Sequence, residues 1–172
     1  MKKLFQSILA FAVVAVVAAM SPGAALADMS AQLLSPWDGK KVPAGQQCRL
    51  FGGNGSTPPM VVSGIPAGAV WIIAEFNDKS YSPLSSKGGH GIVAWPVKGS
   101  KTKLFAVPGM KSRLPGGARL VKAARSTGKY ASDGYLPPCS GGRGNRYAVD
   151  LKAVDAKGKI LAKISNFAIG RY

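Results

Sequence analysis

The chain has 172 residues, with 23 Lys and Arg against 7 Asp and Glu, a formal charge of +16. One histidine and two distant cysteines give no zinc-ligand spacing, and no phosphate-loop or dinucleotide signature occurs. The absence of heptads, internal repeats and low-complexity tracts excludes coiled coils and repeat arrays.

Residues 1–27 read as a cleavable signal peptide. Lys2 and Lys3 form a positive start, Ile8 to Met20 is uncharged and apolar, and Ala25-Leu26-Ala27 is a small-x-small cleavage site. The apolar run is short of the roughly 20 residues of a spanning helix, and Pro22 and Gly23 interrupt it. Cleavage leaves residues 28–172, expected to form a single domain with a core of its own. No later stretch is long and apolar enough to span a membrane, and the expected location is periplasmic or secreted.

Without Lys2 and Lys3, 21 basic residues face 7 acidic ones, a formal +14. No acidic residue lies between Asp78 and Asp133, whereas Lys98, Lys101, Lys103, Lys111, Arg113, Arg119, Lys122, Arg125 and Lys129 do. Such a field draws polyanions or acidic proteins. Tyr81, Trp95, Phe105 and Tyr130 are too widely spaced for a single-strand stacking platform, so dedicated nucleic-acid binding is not expected. Cys48 and Cys139, in a chain bound for an oxidising compartment, suggest one disulfide. It would close about 90 residues and contribute on the order of 4 kcal/mol. Two buried free thiols remain the alternative.

In chain order, Ser35 to Gly45 is punctuated by Pro and Gly and reads as an irregular entry segment. Gln46 to Phe51 reads as a strand, Gly52 to Pro59 as loop, and Met60 to Val62 as a short strand. Ala69 to Phe76 is a short β-branched apolar run, expected as a buried strand, with Asn77 to Gly89 as polar loop. Gly91 to Val97 and Lys103 to Val107 are further strands, and Ala118 to Ala124 fits either helix or strand. Arg146 to Asp155 alternates, with Tyr147, Val149, Leu151 and Ala153 on one face, and Ile160 to Ile169 returns beside it after a Lys157-Gly158 turn. Many short strands, 22 Gly and 12 Pro predict a mainly β, two-sheet antiparallel sandwich with few short helices. Trp37, Trp71 and Trp95 are assigned to the core, and Arg146 is a candidate partner for Glu75.

Asp133 to Tyr147 combines Pro137-Pro138, Cys139 and a glycine-rich loop with Arg143. Gly142, Arg143 and Gly144 could turn amides and a guanidinium toward an anion. His90 is the only histidine, and Asp78 is the nearest acidic residue along the chain. Gly88 to Gly91 is similar to esterase oxyanion loops, but no nucleophile elbow accompanies it.

Four stretches, in order, resemble the phosphatidylethanolamine-binding protein family, bacterial Raf-kinase-inhibitor-like branch. Cys48 to Pro66 resembles the family's Cys-Asp-Gly…Ser-Pro-Pro-Leu…Gly-Val-Pro segment, and Gly89-His90 its Gly-x-His-Trp step. Tyr135 to Tyr147 aligns ungapped with Tyr-x-Gly-Pro-Cys-Pro-Pro-x-Gly-x-His-Arg-Tyr, and Ala168 to Tyr172 resembles the closing Leu-x-Gly-x-Tyr. The resemblance implies a Greek-key sandwich and a binding or inhibitory protein, not an enzyme, with no cofactor, metal or catalytic residue. It implies a small pocket for a phosphate-like anion or phospholipid headgroup, built here from Asp78, His90, Pro138, Tyr147 and Tyr172, with Arg143 and Asn145 on its loop wall. Asn145 stands where the family loop has histidine. The alternative expectation is an interaction or inhibitor module that uses the basic 98–129 surface against an acidic protein partner.

Overall fold

The computed structural model describes residues 28–172; the expected signal peptide lies outside the described residues. Eight strands form two antiparallel sheets. The smaller has the order β1-β2-β5, from Ser30–Leu33, Met60–Ser63 and Lys101–Leu104. The larger has the order β6-β4-β3-β7-β8, from Arg119–Lys122, Ile92–Pro96, Trp71–Asp78, Arg146–Val154 and Ile160–Arg171. The chain passes between the sheets after β2, β4 and β5, giving the expected Greek-key sandwich. Among the described residues there is no α-helix, only single 3-10 turns at Arg49–Phe51, Ser82–Leu84 and Gly128–Tyr130.

Alternation places the core. Ile72, Ala74 and Phe76 of β3, Val93 and Trp95 of β4, and Val149, Leu151 and Ala153 of β7 are buried and meet Met60, Val62 and Leu104 of the smaller sheet. Phe76 packs on Tyr135 with ring centroids 4.6 Å apart. Trp95 donates its indole N–H to the Phe105 carbonyl at 3.1 Å, so burial leaves no orphaned donor. Trp37 and Trp95 are in the core, but Trp71 is not: the apolar run alternates, and Trp71, Ile73 and Glu75 lie on the outer face, where Arg119 sits 4.6 Å over the Trp71 ring.

Several boundaries differ from expectation for identifiable reasons. Gln46 to Phe51 is not a strand. Its backbone pairs with the distant loop through Cys48 N–H to Pro138 O at 3.0 Å, and Gly52, at φ 76°, ends a 3-10 turn there. Strand β3 begins two residues later and runs through Asn77 and Asp78, because β7 supplies register partners to both. Asn77 meets its burial by donating to the Glu75 carbonyl and to Asp150 Oδ2 at 3.0 Å. Strand β5 begins earlier than expected, with Thr102 and Leu104 inward and Lys101 and Lys103 outward. Ala118 to Ala124 resolves as a strand, β6. Strand β1 has four residues, too short an alternation to stand out in the sequence. Glu75 pairs with Lys152, its diagonal neighbour on β7, not with Arg146, which lies at the other end of that strand.

The 98–129 charges are distributed over different elements. Lys101 and Lys103 lie on edge strand β5, Arg119 and Lys122 on edge strand β6, and Arg125 in the wall of a cavity. Charged side chains on open strands also discourage edge-to-edge pairing with another chain.

Candidate functional site

At one end of the larger sheet a cavity of about 350 Å³ opens between strand ends and the loops that join them. The end of β3 supplies Asp78, and β7 supplies Tyr147, its register partner. The turn leading into β4 supplies His90, and the loop before β7 supplies Cys139, Ser140, Arg143 and Asn145. Tyr81, Pro83 and Leu84 after β3, with Arg125, Ser126, Thr127 and Tyr130 after β6, complete the wall.

His90 is held at three points. Its N–H donates to the Phe76 carbonyl at 2.9 Å, its carbonyl accepts from Leu136 N–H at 2.8 Å, and its ring Nδ1 lies 2.8 Å from the Leu136 carbonyl. A carbonyl only accepts, so Nδ1 carries hydrogen and the neutral ring has its lone pair on Nε2. Among the described residues every enclosed side-chain nitrogen or oxygen has a partner. Nε2 has none among the described residues, and it therefore opens into the cavity. The ring lies edge-on to Tyr147, centroids 5.3 Å apart.

Asp78 is 4 % exposed. Its Oδ1 accepts from Ser80 N–H at 2.9 Å, and its Oδ2 accepts from Asn145 Nδ2 at 2.7 Å. Burial raises the Tyr147 pKa and keeps the phenol protonated. Its oxygen accepts from Cys139 N–H at 3.1 Å, and the Asp78 carboxylate and the Ser140 hydroxyl stand beside its O–H. Arg125 spends its guanidinium on the carbonyls of Lys87, Pro83 and Ser86, stapling the turn beneath the mouth. Arg143 is exposed in a loop where Gly141, Gly142 and Gly144 all have φ near +70°, and it forms no ion pair among the described residues.

Burial holds the His90 imidazole below its ordinary value, against the Leu136 contact and the Asp78 charge. The unfolded chain therefore takes up this proton before the folded one does. Stability is expected to be full above about pH 6.5 and to fall below it, by at most about 1.4 kcal/mol per pH unit. Urea midpoints between about pH 7.5 and about pH 5 measure this. The same slope in His90→Asn would assign the loss to other groups.

Five of the sequence-predicted site residues, Asp78, His90, Arg143, Asn145 and Tyr147, therefore line one cavity. Two do not. Pro138 is buried behind the wall, where its carbonyl accepts from Cys48 N–H. Tyr172 packs its ring on Phe51 at 6.5 Å, and its carbonyl oxygen accepts from Ser140 Oγ at 2.5 Å, so it braces the loop from outside. Cys48 and Cys139 form the disulfide, Cα atoms 5.2 Å apart, and Cys139 reaches the cavity. Arg125 and Tyr130 enter the wall through tertiary folding, with no local motif to mark them. Among the described residues no cluster of His, Cys, Asp and Glu could hold a metal ion, and no helix is long and apolar enough to cross a membrane.

No family model matches the chain, and no curated protein matches it. The chain is similar to the crystal structure of a phosphatidylethanolamine-binding protein homologue, CT736, of Chlamydia trachomatis. Identity is 22%, 75% of this chain and 76% of that chain are covered, and the TM-score is 0.45.

Proposed function

We propose that this chain is a secreted or periplasmic binding protein of the phosphatidylethanolamine-binding kind, whose pocket takes a small phosphate-like anion or phospholipid headgroup. One observation carries the reading: Asp78, His90, Arg143, Asn145 and Tyr147, drawn from separate segments, line a single cavity of about 350 Å³. That volume suits a headgroup-sized ligand. The mouth offers the Arg143 guanidinium, and the wall offers the second N–H of the Asn145 amide, whose first goes to Asp78. The signal-like segment at residues 1–27 and the Cys48–Cys139 disulfide both favour an oxidising compartment.

Binding without catalysis is the reading the hydrogen bonds favour. Ser140, the hydroxyl on the loop, donates to Tyr172, and Cys139 is oxidised. His90 Nδ1 is oriented by a carbonyl instead of a carboxylate, so among the described residues neither a serine–histidine nor a histidine–aspartate relay is assembled.

Titration with inorganic phosphate, then with glycerophosphoethanolamine, is expected to shift the His90 ring NMR signals and raise the melting temperature. Arg143→Ala is expected to weaken binding by roughly tenfold or more, the usual worth of a charge-assisted hydrogen bond. If neither the His90 signals nor the melting temperature moves, the pocket is not an anion site.

A further inference from the structure

We infer that the cavity selects oxyanions bound with one proton, such as a phosphate monoester monoanion, and that this proton lies between His90 Nε2 and a ligand oxygen. The inference rests on the anion-pocket reading above and names the protonation state that pocket requires.

The argument is geometric. Because the Leu136 carbonyl takes the Nδ1 hydrogen, the neutral imidazole can present only a lone pair to the cavity. The second group of the inner wall is the Asp78 carboxylate. Its two hydrogen bonds come from neutral donors, Ser80 N–H and the Asn145 amide, and it forms no ion pair among the described residues. Two hydrogen-poor groups therefore share the inner end of the site. On the other elements, Tyr147 of β7 is a protonated phenol beside Asp78 and Ser140, so it adds a neutral group and no cation, and Tyr81 and Tyr130 stand on the outer wall. Arg125 has its guanidinium committed to three carbonyls, which leaves Arg143 as the cation able to meet a ligand at the mouth.

A phosphate monoester seated here directs one oxygen at Arg143 and another at His90. The second oxygen, if unprotonated, meets a lone pair with a carboxylate nearby, which is repulsive. One hydrogen converts that contact into a hydrogen bond. A monoanion brings this proton as its own O–H. A dianion takes it from solvent, so its binding consumes one proton, and no other bond forms or breaks. Burial of the imidazole keeps it neutral before the ligand arrives.

The test is calorimetric titration of the signal-less chain with methyl phosphate in two buffers of different protonation enthalpy. A phosphate monoester has its second pKa near about 6. The expected uptake is close to one proton per bound ligand at about pH 8 and close to zero at about pH 5, with affinity falling about tenfold per pH unit above neutrality. His90→Asn keeps an amide N–H for the Leu136 carbonyl and removes Nε2. Its uptake is expected to vanish and its affinity to lose this pH dependence. Binding without proton uptake in the unmodified chain overturns the inference while leaving the anion pocket in place. Uptake that persists in His90→Asn also overturns it, by assigning the proton to Asp78. No binding at either pH removes the pocket reading and the inference together.

Discussion

Replacing Cys48 and Cys139 together with alanine is expected to cost roughly 2–5 kcal/mol of stability and to abolish phosphate binding. The bridge spans 91 residues, so its loss frees a long loop in the unfolded chain. It also joins two segments that otherwise meet through packing of Phe51 and Gly55 on the loop and one backbone hydrogen bond. Cys48 N–H donates to the Pro138 carbonyl, and one residue later Cys139 N–H donates to the Tyr147 hydroxyl. The cysteine pair packs with Leu136 in a small cluster of its own, apart from the main core, against Phe51, Ala124 and Tyr130. Without the bridge, the wall that carries Ser140, Arg143 and Asn145 loses its covalent tie to the Cys48 segment and keeps only its hydrogen bonds to Asp78, Tyr147, Tyr172 and Cys48. Urea unfolding and phosphate calorimetry on the double variant measure both effects. An unchanged urea midpoint would show that the bridge is incidental, and unchanged affinity would show that the wall stands without it.

The sandwich was legible because its longest strands are periodic. Residues 146–155 alternate over nearly their whole length, and the inward Tyr147, Val149, Leu151 and Ala153 are buried, as are Ala148 and Val154 of the other face. Legibility failed where long-range pairing overrode local pattern. Asn77 and Asp78 look like loop residues, yet β7 and the Asp150 and Asn145 side chains make them the end of a strand. Gln46 to Phe51 looks like a strand, yet its partners are a disulfide and a carbonyl across the molecule. The site divides the same way. Asp78, His90, Asn145 and Tyr147 sit in or beside motif-bearing stretches and could be named in advance. Arg125 and Tyr130 carry no local signature, because only the fold of the segment after β6 brings them to the cavity. Tyr172 departs from the expected pocket wall because a terminal motif locates the chain end near the loop without saying which side of it the ring takes.

Gly89→Ala is expected to destabilise the protein by roughly 3 kcal/mol or more, the upper end of what an overpacked position costs. A Cβ at Gly89 would stand 2.1 Å from the Leu84 carbonyl oxygen and 2.4 Å from two other Leu84 backbone atoms. No flexible side chain is there to give way; the backbone itself must separate. Gly89 is also pinned on the other side, since its N–H reaches Asn77 Oδ1 at 3.2 Å and its carbonyl accepts from Arg125 N–H at 3.0 Å. The strain falls on the segment that fixes His90 between Phe76 and Leu136, so the cavity wall moves with it. Gly142→Ala is the control. Gly142 has φ 77°, and a Cβ there would meet nothing within 4 Å, so only the left-handed backbone penalises the change, by about 1–2 kcal/mol. Denaturant midpoints of the two variants separate close packing from conformational freedom. Gly89 has no positive φ, so a loss no larger than that of Gly142→Ala would mean that the close approach to Leu84 does not hold His90 in place.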